Sequence, residues 1–209
     1  MTADSHEPPP PLLDALGGPL GMAESVVPSA AFVATYVATG QETRPALIAA
    51  VVLGTLFAVG RIARGQTPQF ALAGLAGLAL SAYVVSKTGR AEDFFVPGLL
   101  ANAGYALAYA ISIVVRWPLL GVLINAAAGR GMAWRQDPEQ LRAYTRASWI
   151  WVALFSFRLA VQLPLYLAGA VVALGIARVA MGIPLFVVGA WLSWLVLRRT
   201  PALGPQRLR

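Results

Sequence analysis

Apolar segments of about the length of a bilayer-spanning helix recur along almost the whole chain. Such a helix needs about 20 residues, because each residue adds about 1.5 Å of rise. The first segment is short and contains Pro28, so it is predicted to be thin or kinked. We predict an all-α fold, a polytopic membrane helical bundle of about six transmembrane helices plus a short interfacial helix. The six segments are 24–39, 45–62, 68–86, 94–115, 144–167 and 176–197.

The composition identifies the solvent around these segments. Of the 209 residues, 58% are hydrophobic and only 12% are charged, and the mean hydropathy is +0.67. A soluble domain typically carries about 25% charged residues. This chain has too few charged side chains to cover a soluble core, so the sequence predicts an integral membrane protein.

The residue types that most enzymes and metal proteins require are scarce in this sequence. The chain has no cysteine, which excludes disulfides, thiolate metal sites and a cysteine nucleophile. Its single histidine, His6, cannot form a histidine metal cluster. P-loop, GxGxxG, GxSxG and HExxH motifs are absent, as are Asp-rich repeats, so nucleotide-binding, hydrolase, metalloprotease and prenyltransferase functions lack their residues. We predict that the protein is not an enzyme and has no catalytic residue, no metal and no cofactor.

The two ends of the chain differ from its apolar middle. Residues 1–21 contain four consecutive prolines, Pro8 to Pro11, and lack the basic start of a signal peptide. This composition predicts a disordered, Pro-rich cytoplasmic tail. Residues 22–199 are predicted to form one transmembrane helical domain, and residues 200–209 a basic cytoplasmic tail.

A long connection separates the fourth and fifth predicted spans. Its first part, residues 118–128, is too short to cross a bilayer and is predicted to be an interfacial or re-entrant helix. Its second part, residues 130–142, is predicted to be a polar loop with a turn at Asp137-Pro138.

The distribution of basic residues predicts the orientation, because Lys and Arg concentrate in cytoplasmic loops. With six spans and both termini inside, 11 basic residues are cytoplasmic and four are outside, and Arg158 completes the 16. We therefore predict a multi-pass protein of the plasma membrane with both termini cytoplasmic. The outside positions are Arg44, Lys87, Arg90 and Arg178, and the inside positions are Arg61, Arg64, Arg116, Arg130, Arg135, Arg142, Arg146, Arg198, Arg199, Arg207 and Arg209.

The net charge of +7 predicts a lipid partner. In a membrane protein such an excess reflects basic loops beside anionic lipid headgroups, so no nucleic-acid partner is predicted. The small-residue run 71–82 contains the pair Ala73 and Gly77, which suits close packing within the bundle or between protomers. A homo-oligomer is therefore also left open by the sequence.

One arginine interrupts the apolar run ALFSFRLAVQLPLYL. A charge inside the bilayer costs from about 3 kcal/mol on insertion scales to more than about 10 kcal/mol in simulations, so it normally faces a partner or a watery cavity. Arg158 and Gln162 share one helix face with Tyr166, and Asn102 would lie at comparable depth. We predict a pocket, open to the outer face, for an anionic ligand or lipid headgroup. Its ligand-binding residues are Arg158, Gln162, Asn102, Arg178 and Tyr166.

Arg158 also has a purely structural interpretation. Its guanidinium would then bond carbonyl groups freed by Pro164 or Pro184, or the side-chain amide of Asn102, and hold the bundle together. The sequence leaves both roles open.

Several segments together resemble a known family. In chain order they are VVPSAAFVATYVATGQETRPALIAAVVLGTLFAVGRI, WPLLGVLI, LRAYTRASWIWVALFSFRLAVQLPLYL and ARVAMGIPLFVVGAWLSWLVLRR. From about Leu13 to Arg199 the chain resembles an uncharacterised actinobacterial-type family of multi-pass membrane proteins with a domain of unknown function. The stretch AYTRASWIWVALFSFRLAVQLPLYLAG is the most recognisable part. This resemblance implies a multi-pass fold and supplies no catalytic residue.

More distantly, the order of features is similar to the intracellular septation protein A family of inner-membrane proteins. That resemblance implies a role in cell-envelope synthesis or division through partner proteins, without catalysis. Arg158 has no evident charged counterpart in that family. The alternative function, suggested by the predicted pocket, is a small transporter or channel for an anionic solute or lipid phosphate. The residues that carry the resemblance are Pro28, Arg61 with Arg64, Pro118-Leu119 and Arg178.

Overall fold

The computed structural model describes the backbone of residues 18–64 and 68–200, and the side chains of residues 26–60, 62–64 and 72–200. The described residues form α-helices and two 3₁₀ helices, with no strand among them, which confirms the predicted all-α class. The predicted tails, 1–21 and 200–209, lie almost entirely outside the described residues. The 3₁₀ helices are Ala91–Phe95 and Ala133–Gln136, and the α-helices are α1 (Gly18–Ala38), α2 (Thr43–Ala63), α3 (Pro68–Thr88), α4 (Val96–Val114), α5 (Leu119–Ala127), α6 (Pro138–Leu167), α7 (Val171–Ala180) and α8 (Ile183–Arg198).

The number of segments that can cross a membrane is lower than predicted. Among the described residues, four are long and apolar enough to do so. The other two predicted spans correspond to shorter apolar helices of 10–17 described residues, Val26–Ala38 and Leu72–Thr88. They are the described parts of α1 and α3, whose backbones form helices of 21 residues each. The count of four therefore applies to the described residues and is lower than the six predicted. The protein is a helical membrane protein whose four candidate spanning segments are Thr43–Gly60, Ala91–Val114, Pro138–Leu167 and Val171–Arg198.

The chain divides into two compact units between Ala82 and Tyr83. In the first unit α1 lies along α2. The Phe32 side chain of α1 is fully buried, as are Ala46 and Ala50 of α2. Because alanine side chains are small, they let two helix backbones approach closely, and this packing does not require a polar contact.

The second unit is built around α6, which contacts α4, α5, α7, α8 and both 3₁₀ helices. Trp151 of α6 stacks on Tyr109 of α4 at 6.0 Å between ring centroids and meets Phe186 of α8 edge-on at 5.0 Å. Its indole N–H also donates to Ser193 Oγ at 3.1 Å. Each aromatic pair contributes about 0.5–1.5 kcal/mol beyond its buried area. Trp151 therefore joins α4, α6 and α8 into one core.

The first turn of α6 lies where a polar loop was predicted. The Asp137 carboxylate accepts hydrogen bonds from the backbone N–H groups of Glu139 at 2.9 Å and Gln140 at 3.4 Å. An aspartate at this position satisfies N–H groups that have no partner within the helix, and Pro138 suits the first helical position. Asp137-Pro138 is thus a helix start rather than a turn, and the predicted loop over residues 130–142 is wrong from residue 138 onward.

The short helix predicted over residues 118–128 is present as α5. The first N–H groups of a helix have no partner within it. In α5 they donate outward, from Leu119 to Ser112 Oγ at 3.0 Å and from Leu120 to Ser148 Oγ at 3.4 Å. These two serines belong to α4 and α6, so they hold the N-terminus of α5 against both spans.

The last spanning segment is broken, although the sequence was interpreted as one continuous helix over residues 176–197. Its two parts, α7 and α8, are separated by Met181 and Gly182. Pro184, near the start of α8, lacks a backbone N–H, and its ring would clash with the carbonyl of Ala180 in a continuous helix. The break therefore follows from the local sequence MGIP.

Candidate functional site

Three predicted site residues lie on one face of α6. Arg158, Gln162 and Tyr166 are four residues apart, so neighbouring members are separated by about 6 Å along the helix axis. Arg158 and Tyr166 are half-buried, and Gln162 is buried. This face is turned toward the inside of the second unit.

The Arg158 guanidinium bonds the break between α7 and α8. Its Nη2 donates to the backbone carbonyl oxygens of Met181 and of Gly182, the latter at 2.6 Å. The Met181 carbonyl lies at the C-terminal end of α7, where a helix carries partial negative charge, and the Gly182 carbonyl lies at the start of α8. The contact fits the structural interpretation of Arg158. The carbonyl groups come from the break before Pro184 and not from Pro164.

Arg178 and Asn102 meet at Gly98 of α4. A Cβ atom built on Gly98 would lie 2.7 Å from Arg178 Nη1, so the guanidinium rests directly on the helix backbone. The guanidinium carbon is also 5.8 Å from the centroid of the Phe95 ring. Asn102 Nδ2 donates to the Gly98 carbonyl at 3.0 Å. The Asn102 side chain thus bonds its own helix, and among the described residues Arg158 makes no hydrogen bond to it.

Both arginines lie at the break between α7 and α8, since Arg158 bonds the carbonyls of residues 181 and 182 and Arg178 lies one helical turn before them on α7. Within the described part of the chain, no carboxylate forms an ion pair with Arg158 or Arg178. The buried Nε of Arg158 also has no hydrogen-bond acceptor among the described residues. Two uncompensated cations in a membrane-embedded unit create a region that attracts an anion.

Tyr166 belongs to a separate, acidic cluster at the end of α6. Its hydroxyl donates to Asp93 Oδ1 at 2.6 Å. Arg90 Nε donates to Glu92 Oε1 at 2.8 Å and lies 3.9 Å from Asp93 Oδ2. The hydrogen bond to Glu92, and then the charges of Glu92 and Asp93, raise the pKa of Arg90, so this guanidinium remains protonated. Tyr166 is thus already engaged with a carboxylate.

The five predicted residues therefore do not converge on one contact. Arg158 lies at the break between α7 and α8, Arg178 and Asn102 meet at Gly98, and Tyr166 bonds Asp93. The buried Gln162 lies between Arg158 and Tyr166 on α6. Tyr166 lies two helical turns from Arg158, or about 12 Å along α6. That Arg158, Arg178 and Asn102 bind a ligand remains a prediction.

The sequence interpretation missed three participants in this arrangement. Met181 and Gly182 supply backbone carbonyls to Arg158, and a glycine two residues before Pro184 is a signal that could have marked the break. Gly98 has no comparable signal, because its contact with Arg178 joins α4 to α7 and depends on tertiary packing.

Comparison with known proteins identifies a family for this chain but no individual protein or solved structure that matches it. No curated protein matches the chain, and no solved structure matches it either. A family model described as "Protein of unknown function (DUF3159)" matches residues 16–203. Since this match covers nearly the whole chain, the protein belongs to the DUF3159 family of proteins of unknown function.

Proposed function

We propose that this protein is a small, non-enzymatic transporter or channel for an anionic solute or lipid phosphate, with Arg158 and Arg178 as its anion-binding residues. The observation that carries the proposal is that two arginines lie at the break between α7 and α8 and have no carboxylate partner among the described residues. Arg158 bonds the carbonyls of Met181 and Gly182, and Arg178 lies one helical turn before them on α7. Guanidinium groups bind phosphate through strong, charge-assisted hydrogen bonds.

The broken last span supports the same function. Many secondary transporters bind their substrates at discontinuous membrane helices, where helix ends contribute partial charges. Here Arg158 covers the C-terminal end of α7 at Met181. The N-terminal end of α8 begins at the same break, and such an end favours negative charge. The polar side chains of Asn102 and Gln162 would supply additional N–H donors.

Arg178→Gln is expected to reduce anion transport or binding by about tenfold or more, because a charge-assisted contact contributes about 1.5–3 kcal/mol. Purified protein in liposomes would be tested for uptake of radiolabelled inorganic phosphate and for movement of a fluorescent phosphatidylglycerol between leaflets. Uptake of phosphate would show transport of a soluble anion, and movement of phosphatidylglycerol would show transport of a lipid phosphate. Gly98→Ala should weaken the same activity without altering any charge, because its Cβ would displace the Arg178 guanidinium.

The matched control is Lys87→Gln, which removes one exposed positive charge at the end of α3. It should leave both activities unchanged. Wild-type protein that moves neither probe, or an Arg178→Gln protein as active as the wild type, would contradict the transport proposal.

A role in cell-envelope synthesis or division through protein partners is the second candidate. It is supported by the sequence order shared with the septation family, including Pro28, Pro118 and Arg178. Wild-type protein that moves no anion, yet co-purifies with envelope-synthesis or division proteins in both the wild-type and Arg178→Gln forms, would favour this candidate. A homo-oligomer through the small residues of α3 is compatible with either function.

We also propose that the membrane is the plasma membrane and that both termini are cytoplasmic. The connection between α4 and α6 carries three arginines, and the first turns of α6 carry two more, Arg142 and Arg146, whereas Lys87 and Arg90 precede the other end of α4. The more basic end is expected to be cytoplasmic. An even number of spans, whether four or six, leaves both termini on one side.

Cysteine labelling should confirm this orientation, because the chain has no cysteine of its own. Ala128→Cys, in the turn after α5, is expected to react with a membrane-impermeant maleimide only after the cells are permeabilised. Lys87→Cys should react in intact cells. Both side chains are exposed in the structure. The reverse labelling pattern would show the opposite orientation.

A further inference from the structure

The connection between α4 and α6 forms a rigid platform rather than a loose loop. Besides the serine contacts at its N-terminus, α5 packs through Gly121 on two buried aromatic rings. A Cβ on Gly121 would lie 2.9 Å from both Trp134 and Tyr144. Asn125, which is buried, donates to the Gly121 carbonyl at 2.8 Å. The side chains that α5 and its flanks expose are therefore held in place.

The exposed side of this platform combines basic and apolar residues. Arg116 and Arg130 are exposed at either end of α5. Trp117, Leu123 and Met132 are also exposed, although each is large and apolar. We call this surface, together with Arg135, the α5 surface. Because α5 joins the ends of two spanning segments, the surface lies where lipid headgroups meet the hydrocarbon core.

Two buried donors on this platform have no acceptor among the described residues. They are the indole Nε1 of Trp134 and the Nε of Arg135, on consecutive residues of one 3₁₀ helix. The Arg135 guanidinium carbon lies 3.8 Å from the centroid of the Trp117 ring, which holds the charge beside the exposed face. Of the two, Arg135 is only half-buried, so its guanidinium can offer N–H groups to acceptor oxygens at this face, whereas Trp134 is enclosed beneath α5.

We propose that the α5 surface binds the headgroup of an anionic phospholipid. Between residues 115 and 146 the chain has five arginines but only two carboxylates, Asp137 and Glu139. The phosphate would accept hydrogen bonds from arginine, while Trp117, Leu123 and Met132 would contact the start of the acyl chains. A soluble anion would use the charges but not the exposed apolar side chains. This site is separate from Arg158 and Arg178 and does not depend on the proposed transport.

The test is retention of lipid by the full-length protein. Protein reconstituted with equal amounts of phosphatidylcholine and phosphatidylglycerol would be extracted in detergent, and the phospholipid kept per protein counted by mass spectrometry. Wild-type protein is expected to retain phosphatidylglycerol preferentially. In the double variant Arg116→Gln/Arg130→Gln this preference should fall by roughly 30-fold, since each arginine near a membrane surface strengthens the binding of anionic lipid about fivefold. The charge-matched control is Arg44→Gln/Lys87→Gln, whose residues are exposed elsewhere.

Two single variants test which part of the molecule determines the lipid preference. Trp117→Ala removes the ring beneath Arg135 without altering charge and should also lower the preference. Arg199→Gln should leave it intact, because Arg199 is exposed at the end of α8, outside the α5 surface. An unchanged preference in the α5 double variant, or an equal loss in its control, would overturn the proposal. So would a preference lost only in Arg199→Gln, or selective binding of an acidic peptide with no lipid preference.

Discussion

Gly121→Leu is expected to destabilise the second unit by about 3 kcal/mol, the upper part of the range for overpacked cores. The first added atom, Cβ, would already lie 2.9 Å from Trp134 and from Tyr144, and both rings are buried. A leucine adds three more carbon atoms to this contact. The intrinsic gain from replacing a helical glycine, about 1 kcal/mol, offsets only part of the strain. Thermal unfolding in detergent should show a midpoint about 6–12 °C lower than that of the wild type.

The control for this variant is Gly104→Leu in α4 of the same unit. A Cβ on Gly104 would meet no described atom within 4 Å, so a leucine there should leave the unfolding temperature unchanged or raise it slightly. Equal unfolding temperatures for the two variants would mean that α5 is not packed tightly against its aromatic neighbours.

The class of fold was predictable because it depends on composition and on the length of apolar runs. Both ends of the spans near α2 and α4 were located within about two residues, since each apolar run is bounded by charged or helix-breaking residues. The end of α6 at Leu167 was also predicted, but its start at Pro138 lies six residues before the predicted 144. The first and third predicted spans lie on α1 and α3, whose described apolar parts are Val26–Ala38 and Leu72–Thr88.

Helix ends were harder to predict than helix interiors. Asp137-Pro138 was interpreted as a turn signal, although the same two residues also start a helix efficiently. Hydropathy joined α7 and α8 into one span because both are apolar, whereas the break depends on Pro184 and a nearby glycine. In both places a local backbone preference, rather than the apolar pattern, determined the structure.

The candidate site was predictable where it depends on one helix. The spacing of Arg158, Gln162 and Tyr166 places them on one face of α6 whatever surrounds that helix. Contacts between helices were not predictable in the same way. The sequence did not indicate that Tyr166 would bond Asp93, or that Arg178 would rest on Gly98, because these contacts depend on how separate elements pack.

Removal of the Arg158 side chain is expected to have the second largest effect on stability. Arg158→Ala would remove two charge-assisted hydrogen bonds to the carbonyls of Met181 and Gly182, each contributing about 1.5–3 kcal/mol. Relief of the cost of a charge inside the membrane, about 3 kcal/mol, offsets part of this loss. We expect a net destabilisation of about 2 kcal/mol, measured as a decrease of about 4–8 °C in the unfolding temperature in detergent.

Two further variants test the origin of this effect. Arg146→Ala removes an exposed arginine from the same helix and should leave the unfolding temperature within about 1–2 °C of the wild-type value, since exposed substitutions usually change stability by less than about 0.5 kcal/mol. Arg158→Lys keeps the charge but cannot reproduce the planar array of donors, so it should recover only part of the loss. If Arg158→Ala unfolds at the wild-type temperature, the carbonyl contacts do not stabilise the break. If that variant unfolds at the wild-type temperature and also fails to bind anions, Arg158 serves anion binding and not the stability of the fold.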